Sequence, residues 1–155
     1  MKRPYVLIPK KEVGKNNFET LIYLEQEEIT EVFVPTDQPM ETRIIEKVLK
    51  EVEVARMGEI SAFEEIIDVF FDIFQKHFRE ENMYPYYCAF GVLLTSKTFT
   101  ELLGYKVVLK KSRSIYHFFT EITDKTGISW IFDPAAEQFK DSFGKLYLAS
   151  CYDKP

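Results

Sequence analysis

Three side chains in the second half of the chain have the types that nucleophilic acyl transfer needs: Cys88, His117 and Asp133. A cysteine in the first turn of a helix faces unpaired backbone N–H groups and the positive end of the helix dipole, and both favour thiolate. An imidazole within reach lowers the thiol pKa further and can pass its proton to a leaving amine. A carboxylate beside the ring fixes its tautomer and stabilises the imidazolium. The backbone N–H of Cys88 is a candidate oxyanion donor. Gln75, Tyr84, Tyr86 and Tyr87 are upstream candidates for a second donor.

The hairpin that carries His117 and Asp133 decides whether they meet. If Thr123–Gly127 forms the loop, Ile122 faces Ile128, Phe118 faces Phe132 and His117 faces Asp133. Directly opposed residues have Cβ atoms about 4.5–5.5 Å apart, which is hydrogen-bonding reach for imidazole and carboxylate. A slip of one residue sends the two side chains to opposite faces. One face of this hairpin then carries His117, Phe119, Ile131 and Asp133, the other Tyr116, Phe118, Trp130 and Phe132. Both faces are apolar enough to require cover. The helix starting near Cys88 is the expected cover for one of them, with its N-terminus over the end of the sheet that holds His117 and Asp133.

The rest of the chain supplies the frame. Tyr5–Pro9, Thr20–Glu25 and Glu31–Val34 read as short strands separated by polar turns. Thr36 or Asp37 caps a helix whose apolar positions Met40, Ile44, Ile45, Val48, Leu49 and Val52 fall at helical spacing, with Pro39 in its first turn. Ser61 and Glu64 form a capping-box pattern that opens a second helix to about Arg79, lined by Phe63, Ile66, Ile67, Phe70, Phe71, Phe74 and Phe78. A third helix, capped at Asn82 with Pro85 in its first turn, runs to Leu103 and stops at Gly104, with weak helix formers at Thr95–Thr98. Tyr105–Leu109, Ile115–Ile122 and Ile128–Asp133 follow as consecutive strands, and Lys145–Tyr152 as a last one. Short turns between strands predict an antiparallel meander. The expected class is therefore α+β, with helices packed on the sheet. Residues 1–80 form N-terminal strands and two helices, residues 81–155 the segment with Cys88, His117 and Asp133, and one compact domain is expected.

Composition limits the functions. At 155 residues, 46% hydrophobic and 29% charged, the chain has an ordinary globular balance. The longest apolar run, Tyr86–Leu94, is nine residues, well short of a membrane span. Residues 1–80 carry 11 basic and 17 acidic side chains, residues 81–155 nine and eight, so neither half has the basic excess of a nucleic-acid binder. The one basic concentration, Lys110-Lys111-Ser112-Arg113, reads as a solvated turn. Two cysteines make no disulfide framework, and a reducing cytoplasm is the default location. No Gly-rich phosphate loop or dinucleotide fingerprint occurs, and no cofactor is expected. A zinc site from Cys88, His117 and Cys151 lacks the usual ligand spacing, so no metal is expected either.

In order, the chain has a cysteine at a helix start (Cys88-Ala89-Phe90), then Leu103-Gly104-Tyr105-Lys106-Val107-Val108, then His117-Phe118-Phe119-Thr120-Glu121-Ile122, then Trp130-Ile131-Phe132-Asp133-Pro134. This order resembles the transglutaminase-like branch of the papain-like cysteine enzymes. It covers residues 84–135, about a third of the chain. The resemblance implies a catalytic triad of Cys88, His117 and Asp133 and a helix packed on an antiparallel sheet. It also implies hydrolysis or acyl transfer at an amide, with a peptide or protein as substrate and no nucleic acid or membrane partner. The family often has Gly or Trp just before the cysteine, where this chain has Tyr84-Pro85-Tyr86-Tyr87.

Each of the three residues also has a plainer explanation. Cys88 alone is a small buried hydrophobe, His117 a core histidine with a satisfied ring, and Asp133 before Pro134 a turn starter. The corresponding alternative is a binding or regulatory module that keeps the fold without turnover. A third possibility is a subunit whose acidic first half docks a basic partner.

Overall fold

A computed structural model of the chain describes residues 5–14, 22–32, 39–80, 87–113 and 116–136. Among the described residues five strands form one sheet: β1 (Val6–Pro9), β2 (Gln26–Ile29), β3 (Lys106–Ser112), β4 (Phe118–Thr123) and β5 (Ser129–Asp133). Its spatial order is β1-β5-β4-β3-β2, and every neighbouring pair is antiparallel. The expected meander of three consecutive strands forms its centre. The two N-terminal strands flank the meander, one on each side.

Among the described residues three α-helices of more than one turn accompany the sheet: α1 (Pro39–Val54), α2 (Phe63–Glu80) and α3 (Tyr87–Ser96). The protein is thus of mixed helix and antiparallel sheet, the α+β class. The apolar stripe of α1 is buried at Ile44, Val48 and Val52, and that of α2 at Ile66, Ile67, Phe70, Phe71, Phe74 and Phe78. The first recurs every four residues and the second every three or four, which puts each on one side of its helix. Glu51 ties the two helices together. It accepts from Lys76 Nζ at 3.1 Å and lies 2.9 Å from His77 Nε2.

The Phe-rich stripe is core. Phe74 and Phe78 meet at 4.7 Å between ring centroids, Phe78 and Phe90 at 5.0 Å, Phe70 and Phe99 at 5.5 Å, and Phe70 and Phe132 at 6.1 Å. This aromatic cluster lies between the helices and the sheet face bearing Leu7, Val107, Leu109, Phe118, Ile122 and Phe132.

Helix α3 ends where weak helix formers predict trouble. Thr95 Oγ1 donates to Gly91 O at 2.6 Å, a side-chain bond that competes with the ladder. Lys97–Leu102 then winds as a π-helix, with the Leu103 N–H reaching Thr98 O at 3.2 Å. Gly104 takes the left-handed conformation (φ +73°) that ends the segment and turns the chain into β3.

Three sequence expectations need correction. Residues 22–24 are helical rather than part of a Thr20–Glu25 strand, and a strand lies at Gln26–Ile29; of the expected Glu31–Val34 strand, residues 31–32 are irregular and the rest lies outside the described residues. The basic cluster is not a solvated turn: through Ser112 it belongs to β3, where Lys111 and Lys110 face Glu27 and Glu28 of β2. Opposed charges across the pairing explain both shifts, because a Glu-rich segment that reads as a turn finds complementary side chains in a strand. Lys110 is buried, with Nζ 3.7 Å from Glu28 and 3.6 Å from Glu121. The capping positions Thr36, Asp37, Asn82 and Pro85 and the Lys145–Tyr152 strand lie outside the described residues. Among the described residues no helix is long and apolar enough to cross a membrane.

Gly91 is the tightest point between α3 and the sheet. A Cβ there would stand 2.8 Å from Pro134 Cγ and 3.3 Å from a Phe74 ring carbon. Neither a proline ring nor a packed phenyl can swing aside, so Gly91→Ala forces α3 off the sheet. Urea denaturation of Gly91→Ala should show a loss of about 1–3 kcal/mol, although the substitution favours the helix locally. Unchanged or raised stability would mean that α3 does not press on Pro134.

Candidate active site

The turn after β4 sets the register of the site. Asp124 Oδ1 accepts from the backbone N–H groups of Thr126 (2.9 Å) and Ile128 (3.0 Å) and from Thr126 Oγ1 (2.6 Å). Its Oδ2 accepts from Trp130 Nε1 at 3.0 Å. Gly127 supplies the positive φ that the turn requires (+90°). By organising the turn, Asp124 draws Ile128 into the loop and releases Thr123 to the strand, where Thr123 pairs with Ser129.

The register is therefore two residues away from the expected one. Thr120 faces Phe132 and Ile122 faces Trp130, instead of Phe118 facing Phe132 and Ile122 facing Ile128. A shift of two keeps every side chain on its face. In this register Asp133 is level with Phe119, and His117 lies two residues further along on the same side. The pair therefore meets diagonally rather than head-on.

They meet closely: His117 Nε2 lies 2.5 Å from Asp133 Oδ2, and both side chains are fully buried. An ionised carboxylate can only accept, so Nε2 carries the proton and the ring's lone pair is on Nδ1. Asp133 Oδ1 accepts from the backbone N–H of Ala135 at 3.0 Å. A further donor comes from a residue that sequence reasoning passed over. Tyr23 Oη donates to Asp133 Oδ2 at 2.6 Å, and its ring stands edge-on to Phe119 at 4.8 Å. Burial, and then the Asp133 charge beside it, push the Tyr23 phenol well above its ordinary pKa. The sequence held a weak signal for Tyr23, an aromatic among Ile22 and Leu24, but nothing that ties it to a carboxylate 110 residues away.

The sheet has two distinct faces. Phe118, Ile122 and Phe132 point to the helices. His117, Phe119, Ile131 and Asp133 are on the reverse face, where Phe119 and Ile131 pack with Val6, Ile22, Tyr23 and Ala136. Helix α3 covers the face opposite to the one holding the His117–Asp133 pair.

Cys88 lies in the first turn of α3, fully buried in the helix-side core. The direction of α3 is clear from its contacts. Phe99, beyond its C-terminus, meets Phe132 at 6.4 Å, whereas Gly91 abuts Pro134. Its N-terminus therefore points to the end of the sheet where β5 finishes, the end that holds His117 and Asp133. After Asp133 the chain rounds this end: Ala135 packs with the helix-side cluster and Ala136 with the reverse one. The Cys88 sulfur is disulfide-bonded. The chain's other cysteine, Cys151, lies outside the described residues.

Of the upstream oxyanion candidates, Gln75 sits in α2, and its buried Oε1 has no hydrogen-bond partner among the described residues. Tyr84, Tyr86 and the Tyr87 side chain lie outside the described residues. Among the described residues no three His, Cys, Asp or Glu side chains cluster as metal ligands. Comparison with known proteins finds no matching family model, no matching curated protein and no matching solved structure.

Two substitutions test this arrangement. Asp133→Ala leaves His117 and Tyr23 buried without their acceptor and should cost about 3–5 kcal/mol in chemical denaturation; a loss below about 1 kcal/mol would mean that the network contributes nothing net. Asp124 behaves differently because it is half-exposed. Partial burial pushes its carboxyl up, but the bonds from Thr126, Trp130 and Ile128 outweigh that and hold it below its ordinary value. A carboxyl lowered by folding contributes stability above its unfolded pKa and loses it as pH falls through the folded one. Asp124→Ala should therefore cost about 1–2 kcal/mol at neutral pH, and the difference from wild type should shrink as pH falls below about 4. A difference that grows in acid would reverse the assignment.

Proposed function

We propose that the chain is a cysteine-dependent acyl-transfer enzyme acting on an amide of a peptide or protein, with a papain-like or transglutaminase-like arrangement of helix and sheet. The reduced Cys88 sulfur attacks the amide carbonyl. His117 takes the thiol proton at Nδ1 and returns it to the leaving amine as the C–N bond breaks and a thioester remains. Water or an acceptor amine then attacks the thioester and frees the sulfur. Asp133 holds the Nε2–H and stabilises the imidazolium.

The observation that carries this reading is the buried 2.5 Å bond from His117 Nε2 to Asp133 Oδ2. It commits the ring to one tautomer and directs its basic nitrogen away from the carboxylate. Further support comes from the start of α3, which brings Cys88 to the same end of the sheet. Turnover requires the thiol to reach Nδ1 around that end and requires Cys88 in its reduced form.

A second reading, a binding or regulatory module without turnover, is favoured by two observations. All three side chains have zero exposure, and Cys88 is disulfide-bonded. There the His117–Asp133 pair would be a satisfied polar element of the core.

Alkylation separates the two. The full chain is reduced with dithiothreitol and exposed to limiting iodoacetamide at about pH 6, and labelling of each cysteine is read by peptide mass analysis. An activated Cys88 should label at least about tenfold faster than Cys151 and lose that advantage in His117→Ala. Equal and slow labelling of both thiols would leave the module without turnover.

A further inference from the structure

We propose that Tyr23 is a positioning residue of this site: its phenol holds the Asp133 carboxylate so that Oδ2 presents one fixed acceptor direction to His117. The consequence for catalysis rests on the acyl-transfer reading above, whereas the coupling itself does not. Tyr23 Oη and His117 Nε2 bond the same oxygen, at 2.6 and 2.5 Å, while the Ala135 N–H holds the other. With one oxygen pinned by Ala135 and the other by Tyr23, rotation about the carboxylate's own bond is blocked, and the imidazole is aimed by an acceptor that cannot turn.

Tyr23 is itself held. Its ring has no exposed surface and stands edge-on to Phe119. The backbone beside it is anchored to β3, where Ser112 Oγ donates to Ile22 O at 2.5 Å, and Gln26 Nε2 closes on Tyr23 O at 2.9 Å. No sequence signal assigns a role to this turn, yet it delivers a donor to a buried carboxylate on the reverse face that also binds a histidine. Sharing that oxygen has an electronic effect as well. A carboxylate already accepting from a phenol is a weaker acceptor for imidazole than one that is not. Tyr23 therefore tempers the His117–Asp133 bond while it orients it.

The test uses the full chain labelled with ¹⁵N-histidine; the chain has two histidines, so Ala substitution of His77 assigns the His117 signals. The hydrogen-bonded Nε2–H proton of His117 is compared in wild type and Tyr23→Phe. Tyr23→Phe keeps the ring and its packing and removes only the donor. The resonance should move further downfield in the variant, since Oδ2 is then left to imidazole alone. A simple structural role would leave it in place. In the same samples, the reduced Cys88 alkylation advantage should fall by roughly tenfold, the worth of one charge-assisted hydrogen bond. An unmoved resonance overturns the proposal, whatever the alkylation shows. A shifted resonance with no alkylation advantage in the wild type supports the coupling and refutes the acyl-transfer reading instead.

Should Tyr23→Phe fail to fold, ¹³Cζ-tyrosine labelling of the wild type and Asp133→Asn gives a second measure. The Tyr23 phenol should ionise at lower pH once the Asp133 charge is gone; an unchanged phenol overturns the proposal.

Discussion

The buried carboxylate of Asp133 is the constraint around which this end of the molecule is built. An ionised carboxylate with no access to water is costly unless every lone pair finds a donor. The donors here are a phenol far away at Tyr23, an imidazole at His117, just before the neighbouring strand, and the nearby backbone N–H of Ala135. Satisfying one group thus requires the helical turn at residues 22–24, the start of β4 and the end of β5 to be in place together. That requirement makes the arrangement rigid, and rigidity is what an imidazole needs if it is to be aimed. It would serve equally well to specify a single packing in a protein with no chemistry to perform, which is why the Cys88 thiol decides between the two readings.

The two faces of the sheet divide the work. The helix side is a continuous aromatic layer of Phe70, Phe74, Phe99 and Phe132, with Phe78 and Phe90 at its edge. The reverse side carries buried polar groups: Lys110 between Glu28 and Glu121, Ser112 on the Ile22 carbonyl, and the Asp133 network. Apolar burial on one side supplies the cohesion, and the polar groups on the other set register and direction. Cys88 belongs to the first side and His117 to the second. The chain passes between them at Pro134–Ala136, against the helix start where Gly91 leaves room for the proline.

Much of the fold was legible in the sequence because it follows from periodicity. The stripes of α1 and α2 and the alternation of Ile115–Ile122 and Ile128–Asp133 locate elements to within a few residues. The pairing of His117 with Asp133 was legible for a subtler reason: an error of two residues in register is invisible to the face rule, so the side was right although the partners were not. The error itself came from Asp124, whose four hydrogen bonds organise the turn and cannot be inferred from a list of polar residues. The β2 strand was missed because its Glu-rich composition reads as a turn until the basic β3 is known to lie beside it. Tyr23 was missed for a related reason, since its partner is fixed by tertiary structure alone. The helix cover was expected over the end of the sheet where it lies, with its face left open; it takes the face opposite the pair, a choice that alternation cannot make when both faces are apolar.

The placement of β1 and β2 at opposite margins of the sheet has a consequence for how the chain assembles. Val6 finds its partner only at Asp133, and Gln26 only at Ser112. Such pairings have high contact order and close very long loops, so they form late and slowly. A nascent chain leaving the ribosome N-terminus first holds β2 idle until β3 has been synthesised, and β1 until β5 has. During that interval their backbone donors and acceptors are open to any other strand, and the acidic side chains of β2 and the Pro9 that ends β1 act against a wrong neighbour.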